Sequence, residues 1–167
     1  MKFFLPDYRF PSFSSVTAAF LTKENIRALI LDIDNTLEPY ENPDPTEAVR
    51  AWFLMLREAG VGAAFVSNNN KERVERFNRD LGLPAYPKAG KPSAVPVRRA
   101  MAALCADPDT TALMGDQIFT DVWAAHAAGI RAILVPPIRD RRDLLTRAKR
   151  ALEKPILKSY ERKKKHE

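Results

Sequence analysis

Residues 26–37 read Ile-Arg-Ala-Leu-Ile-Leu-Asp-Ile-Asp-Asn-Thr-Leu. Ala28-Leu29-Ile30-Leu31 is apolar at every position, as a central parallel strand covered on both faces by helices must be. The run ends in two carboxylates one residue apart, Asp32 and Asp34, then Thr36. Ionised groups at the end of a buried strand need compensation, because isolated charge in an apolar setting is costly. A hard divalent cation such as Mg²⁺, which takes oxygen ligands, is the natural partner. The phrase locates a candidate active site.

Working outward, the same alternation recurs. Arg27–Ile33 reads as the first strand, Val61–Val66 as the second, Ala85-Tyr86 as a short third, Thr110–Met114 as the fourth and Arg131–Val135 as the fifth. Between them, helical spacing marks Thr46–Ala59, Lys71–Leu81, Ser93–Ala106 and Phe119–Ala128, the last closed by Gly129. Pro96 falls in the first turn of its helix, where proline is tolerated. Strand–helix alternation along the chain predicts an α/β fold, a three-layer sandwich on a central parallel sheet of about five strands. In such sheets ligands bind beyond the carboxyl ends of the strands. Polar residues stand at those ends: Asp32 and Asp34 after the first, Ser67 after the second, Asp116 after the fourth.

The flanks differ from this core, which spans 26–137. Residues 1–25 form an aromatic arm with Phe3, Phe4, Phe10, Phe13 and Phe20, in which Ser14 or Ser15 caps a short helix to about Leu21. Its aromatics either pack on the domain or meet a membrane or partner. Pro6, Asp7 and Arg9 interrupt the apolar start, which argues against a signal peptide. Residues 138–167 hold 12 Lys/Arg and 5 Asp/Glu, a net of +7, whereas the whole chain carries +6. Asp140–Leu152 reads as a basic amphipathic helix followed by a tail. Such a segment suits an anionic membrane surface, or less readily nucleic acid, or serves only as a solvated end. The single cysteine, Cys105, permits no internal disulfide and reads as a small apolar residue on its helix. No apolar stretch is long enough for a membrane span. The expected setting is the cytoplasm, with peripheral contact at the inner membrane face.

The residue types at the strand ends fit phosphoryl chemistry. Asp32, Asp34 and Asp116 can surround a cation, one carboxylate acting as nucleophile and a second managing a proton. Ser67 and Lys91 suit phosphate oxygens. Simpler roles exist for each. The first two could cap a helix, although Pro39, Pro43 and Pro45 argue against one. Ser67 could start the Asn68–Asn70 turn, Asp116 could cap the next helix, and Asp121 could sit in its first turn for the dipole. Lys88 competes with Lys91, and His126 reads as a packing or surface residue.

Four stretches in one order carry a resemblance. Asp32-Ile33-Asp34-Asn35-Thr36, Val66-Ser67, Lys91-Pro92 and Gly115-Asp116-Gln117-Ile118-Phe119-Thr120-Asp121 resemble the DxDxT, Ser/Thr, Lys and GDxxxxD motifs of the haloacid dehalogenase-like (HAD) phosphatases. The resemblance implies a Rossmann-like HAD fold, Mg²⁺ as cofactor and an aspartyl-phosphate intermediate. It makes Asp32 the nucleophile and a metal ligand, and Asp34 the general acid and base, with its backbone carbonyl on the metal. Ser67, Asn68 and Lys91 serve the phosphate, Thr36 supports, and Asp116 and Asp121 serve the metal.

Thr36 to Ser67 leaves 30 residues and Ser67 to Lys91 leaves 23, mostly used by helices. No room remains for a cap domain of ordinary size. The site is therefore expected to be open, with Glu38–Pro45 as a local lid, and its phosphorylated substrate large or membrane-presented. The capless pattern is similar to the YqeG subgroup of bacterial HAD proteins (subfamily IIIA), itself similar to phosphatidylglycerophosphate phosphatases of fungal mitochondria and plants. Phosphates on proteins, nucleic acids or small molecules are the alternative substrates, and a non-catalytic phosphate-binding module is the alternative role.

Overall fold

The computed structural model describes residues 2–139 and 144–164, with side chains described for 3–139 and 151–162. Six strands form one all-parallel sheet in the order β1-β6-β5-β2-β3-β4: β1 Tyr8–Arg9, β2 Ala28–Leu31, β3 Gly62–Val66, β4 Ala85–Tyr86, β5 Thr111–Gly115 and β6 Arg131–Leu134. The helices are α1 Ala18–Lys23, α2 Glu47–Glu58, α3 Lys71–Asn78, α4 Val95–Ala103, α5 Trp123–Ala128 and α6 Leu144–Lys164.

Alternation along each strand divides the core in two. Leu29, Leu31, Phe65, Met114 and Ile133 point to the face covered by α2 and α3 with the arm, where Phe13, Trp52, Phe53 and Phe77 fill the space. Ile30, Ala64, Val66, Leu113 and Leu134 point to the other face, against Val97 and Ala100 of α4 and Ala124 and Ala125 of α5, with Ile156 and Leu157 of α6. This is the three-layer α/β sandwich, and no cap domain lies in the connections, which carry only α2 between β2 and β3 and α3 between β3 and β4.

The chain builds β2, β3 and β4 outward on one side, then returns to add β5 and β6 on the other. The carboxyl end of β2 is therefore the point where strand order reverses, the usual place for a ligand crevice. Leu29 lies opposite Ala63 on one side and Ala112 on the other, so the three strand ends arrive level.

Local chemistry sets the helix ends. Thr46 and Asn70 cap α2 and α3 through side-chain oxygens that accept from Val49 and Arg73 N–H. Gly129, at φ 80°, closes α5 in the left-handed region.

Several expectations need correction. The sheet has six strands because the arm contributes β1, whose pairing with β6 is too short to show periodicity. The cap of α1 is Thr17, accepting from Phe20 N–H, with Ser14 and Ser15 in a preceding 3₁₀ turn. Cys105 lies beyond α4, exposed and at φ 50°, not on the helix. What reads as a tail after Leu152 is helical through Lys164, because Glu153, Ile156, Leu157 and Tyr160 keep one face against the body; residues 140–143 lie outside the described ones. The arm packs its aromatics: Phe10 and Tyr8 meet Phe20, Phe13 meets Trp52, and Phe4 meets Phe119 and Trp123. Phe3 remains 42% exposed. Among the described residues no helix is long and apolar enough to cross a membrane.

A polar clasp fixes the arm. Asp7 accepts from Ala132 N–H at 2.7 Å and lies 3.0 Å from His126 Nε2. Hydrogen bonding to Asp7 raises the His126 pKa above its ordinary value of 6.5, against the opposing effect of burial. Burial alone would raise Asp7, but the bonds from His126 and Ala132 outweigh it and lower the carboxyl below 3.8. The His126 contribution to stability is thus present below 6.5 and lost as pH rises through its elevated folded value. The Asp7 contribution is present above 3.8 and lost as pH falls through its depressed one. The melting-temperature gap between the natural chain and Asp7→Asn is expected to be widest between pH 3.8 and 6.5 and to narrow on either side, as read by calorimetry across pH.

Candidate active site

The three central strands deliver the polar groups. Asp32 follows β2 and continues the pairing with β5 through its N–H to Met114 O, 3.0 Å. Ser67 follows β3 and Asp116 follows β5, all three buried. Lys91 comes from the loop after β4. Its backbone is pinned by the Asn68 side chain, which accepts from Lys91 N–H at 2.7 Å and donates to Lys91 O at 3.2 Å. Asn68 thus spends its side chain on holding Lys91. Lys88 is exposed, at φ 48°.

The Lys91 ammonium lies 2.8 Å from Asp32 Oδ1 and 2.6 Å from Asp121 Oδ1. Burial by itself would lower its pKa, but the Asp121 and Asp32 carboxylates more than reverse this and hold it above the ordinary lysine value. Asp32 is pushed up to about 6, first by burial and then by Asp121 and Asp34, against the opposing pull of Lys91. Thr36 Oγ1 stands 3.4 Å from both Asp32 Oδ2 and Asp116 Oδ1, so its one proton can go to either carboxylate.

Asp32, Asp116 and Asp121 each place a carboxylate oxygen within 4.8 Å of the others. Three carboxylate oxygens drawn this close together suit a single cation among them. The charges fit as well. Three carboxylates against one ammonium leave two negative charges, the complement of a divalent ion. The donor set is oxygen only, which favours a hard metal.

Asp34 is held differently. Arg73 of α3 gives Nε to Asp34 Oδ1 at 3.1 Å, and Asn69 gives Nδ2 to Oδ2 at 2.7 Å. Arg73 also donates to Pro43 O at 2.8 Å, tying the Glu38–Pro45 loop to the site. Glu38, itself buried, closes that loop by accepting from Asn42 and from Thr46 N–H. The segment read as a lid is therefore anchored at both ends. Above these groups lies an open cleft of about 510 Å³, lined by Asp32, Asp34, Ser67, Asn68 and Lys91 together with Asn35, Tyr40, Asn69, Gln117 and Thr120.

Sequence reasoning missed Arg73, Asn69 and the wall residues. Asn69 lay in a recognised turn, but a lone arginine one turn into a helix carries no motif. The spacing of Phe119–Ala128 predicts one plain helix. Its start is a π turn, Ile118–Val122, in which Asp121 and Val122 N–H both reach Gln117 O and Asp121 Oδ2 accepts from Gln117 N–H at 3.0 Å. Such turns recur at functional sites. Here the turn swings Asp121 back over Gly115, where an added Cβ would sit 2.2 Å from Asp121 Cγ.

The chain belongs to the haloacid dehalogenase-like (HAD) superfamily of hydrolases, as a phosphatase of that superfamily. A family model described as HAD-hydrolase-like matches residues 88–159. The chain is 35% identical over 162 residues to the probable phosphatase YqeG of Bacillus subtilis (strain 168), covering 97% of this chain and 94% of that one. Among solved structures it is similar to an uncharacterized protein from Listeria monocytogenes serotype 4b, with TM-score 0.55, 18% identity and 71% and 85% of the two chains covered. It is also similar to CbbY from Rhodobacter sphaeroides in complex with phosphate, with TM-score 0.51, 17% identity and 71% and 89% covered. The two structures speak for the fold.

Gly115→Ala should destabilise the protein by about 1–3 kcal/mol, since the neighbour that must yield is a buried carboxylate already bonded to Lys91. Urea denaturation measures this. A change within 0.5 kcal/mol, about the size of an ordinary surface substitution, would contradict the close-approach role.

Proposed function

We propose that this protein is a Mg²⁺-dependent phosphatase that hydrolyses a phosphomonoester through an aspartyl-phosphate on Asp32. The observation that carries the reading is the Lys91 ammonium set 2.8 Å from Asp32, beside the acidic cluster and at the floor of an open cleft. Asp32, Asp116 and Asp121 would hold the cation through their carboxylates, and Asp34 through its backbone carbonyl. Bound there, Mg²⁺ supplies positive charge that offsets repulsion between an attacking carboxylate and the phosphoryl oxygens.

The chain's own groups do the rest. The Ser67 hydroxyl and the Lys91 ammonium bind phosphoryl oxygens. Thr36 steadies Asp32, and Asn68 fixes Lys91 in reach. An Asp32 oxygen attacks phosphorus, the P–O bond to the leaving alcohol breaks, and Asp34 delivers a proton to that oxygen. Water then attacks the phosphorus of the aspartyl ester, Asp34 takes its proton, and phosphate departs with the Asp32 carboxylate restored. Asp34 Oδ2 accepts from Asn69 and keeps a second lone pair that can carry the proton.

The relative's description as a probable phosphatase supports the activity. Phosphate release from an aryl phosphate should need Mg²⁺, stop with a chelator, and fall by about four orders of magnitude in Asp32→Asn. Activity that survives this substitution would sink the covalent route.

The substrate reading goes further: a phosphate on a group too large to enclose, presented at an anionic membrane, with phosphatidylglycerophosphate as the chemical candidate. Three features support it: connections too short for a cap, an open cleft, and a net +7 over residues 138–167. Sedimentation with anionic vesicles should co-pellet the protein at low salt and release it at high salt, where the screening length shortens to about 3 Å at 1 M. No binding at low salt would count against the membrane reading. A release screen over phosphatidylglycerophosphate, sugar phosphates, nucleotides and phosphopeptides then separates it from a protein, nucleic-acid or small-molecule phosphatase.

A further inference from the structure

Among the described residues the reaction above leaves two buried carboxylates unused, Glu38, which closes its own loop, and Glu153. Glu153, on α6, is 5% exposed, and its Oε1 accepts from Ile118 N–H at 2.9 Å across 35 residues of sequence. Ile118 opens the π turn that carries Asp121. The preceding amide, Gln117 N–H, ends on Asp121 itself. Two consecutive amides of the turn therefore meet two carboxylates, one from inside the turn and one from α6. Asp121 continues to Lys91, and Lys91 to Asp32.

Burying a carboxylate is an expensive way to dock a helix, since an apolar residue of similar size does so at lower cost. The helix already has apolar anchors in Ile156 and Leu157, a buried Tyr160, and a surface ion pair from Glu161 to Arg9 at 3.0 Å. What Glu153 adds is direction: a strong acceptor for an amide that the start of a helical turn leaves without a partner inside the turn. We infer that Glu153 is a positioning residue, locking the Gly115–Val122 turn so that Asp116 and Asp121 face Asp32. By this inference α6 is part of the active site's framework, not a solvated appendage. Its bearing on metal affinity rests on the Mg²⁺ reading above.

The test uses the full chain and two readouts, Mg²⁺ titration by calorimetry and amide hydrogen exchange at Gln117 and Ile118. Glu153→Leu keeps an apolar contact for α6 and removes the acceptor. It should weaken Mg²⁺ binding about tenfold, as loss of outer-sphere support commonly does, and speed exchange at Ile118. Glu153→Gln, which retains a side-chain oxygen, should stay within about threefold of the natural chain. Arg9→Gln loosens the same helix elsewhere, so it should lower the melting temperature without changing Mg²⁺ affinity or Ile118 exchange. Natural-like affinity and exchange in Glu153→Leu overturn the inference. So does an equal loss in Arg9→Gln, which would make the effect one of general undocking. Should the natural chain bind no Mg²⁺, the cation reading falls by itself. Ile118 exchange in Glu153→Leu then decides the positioning role, and unchanged exchange overturns it.

Discussion

A single buried ammonium organises the carboxyl edge of this sheet. Lys91 meets Asp32 at 2.8 Å and Asp121 at 2.6 Å, in surroundings where neither sign of charge could stand alone. Burial works against a charged lysine, yet the two carboxylates hold its pKa above the ordinary value. The lysine arrives on a loop, not a strand, so its reach depends on Asn68, whose amide bonds both sides of the Lys91 backbone. One strand end, one loop and one turn thus meet at one charge.

The turn after β5 is the least regular part of that convergence and draws support from both flanks of the chain. Gly115 makes room for Asp121, and the π geometry aims it. From the N-terminal side, Phe4 packs on Phe119 and Trp123, while Asp7 and His126 clasp the arm to α5 and β6. From the C-terminal side, Glu153 reaches Ile118 N–H. Segments that look peripheral in the sequence therefore bear on the acidic pair. The opposite wall is steadied by Arg73, which joins Asp34 to the Pro43 carbonyl and so couples that carboxylate to the loop after β2.

Much of this was legible in advance. Ala28–Leu31 is buried at all four positions, as its composition requires, and Phe65 and Val66, both buried on opposite faces, follow from a strand between two helical layers. The residues Asp32, Asp34, Thr36, Ser67, Asn68, Lys91, Asp116 and Asp121 do gather at one edge. The less legible parts are short or long-range. A two-residue strand such as Tyr8–Arg9 has no period to detect. A π turn has the composition of an α-helix, since only hydrogen-bond spacing separates them. Cys105 sits among helix-forming alanines, yet the chain turns to φ 50° there and leaves the helix. The full length of α6 is not legible locally, since it runs through Pro155, a residue that ordinarily breaks a helix.

The α/β class, the order of the main elements and the set of ionisable groups are all written in the residues. Those follow from local periodicity and residue chemistry, which neighbours a few positions apart already express. How the charges are apportioned emerges from the folded chain alone. Asp34 goes to Arg73 and Asn69, whereas Asp32 and Asp121 share Lys91, and Glu153 answers an amide 35 residues away. Such pairings depend on distances of about 3 Å between distant segments, and those distances exist only once the sheet has brought its strand ends level.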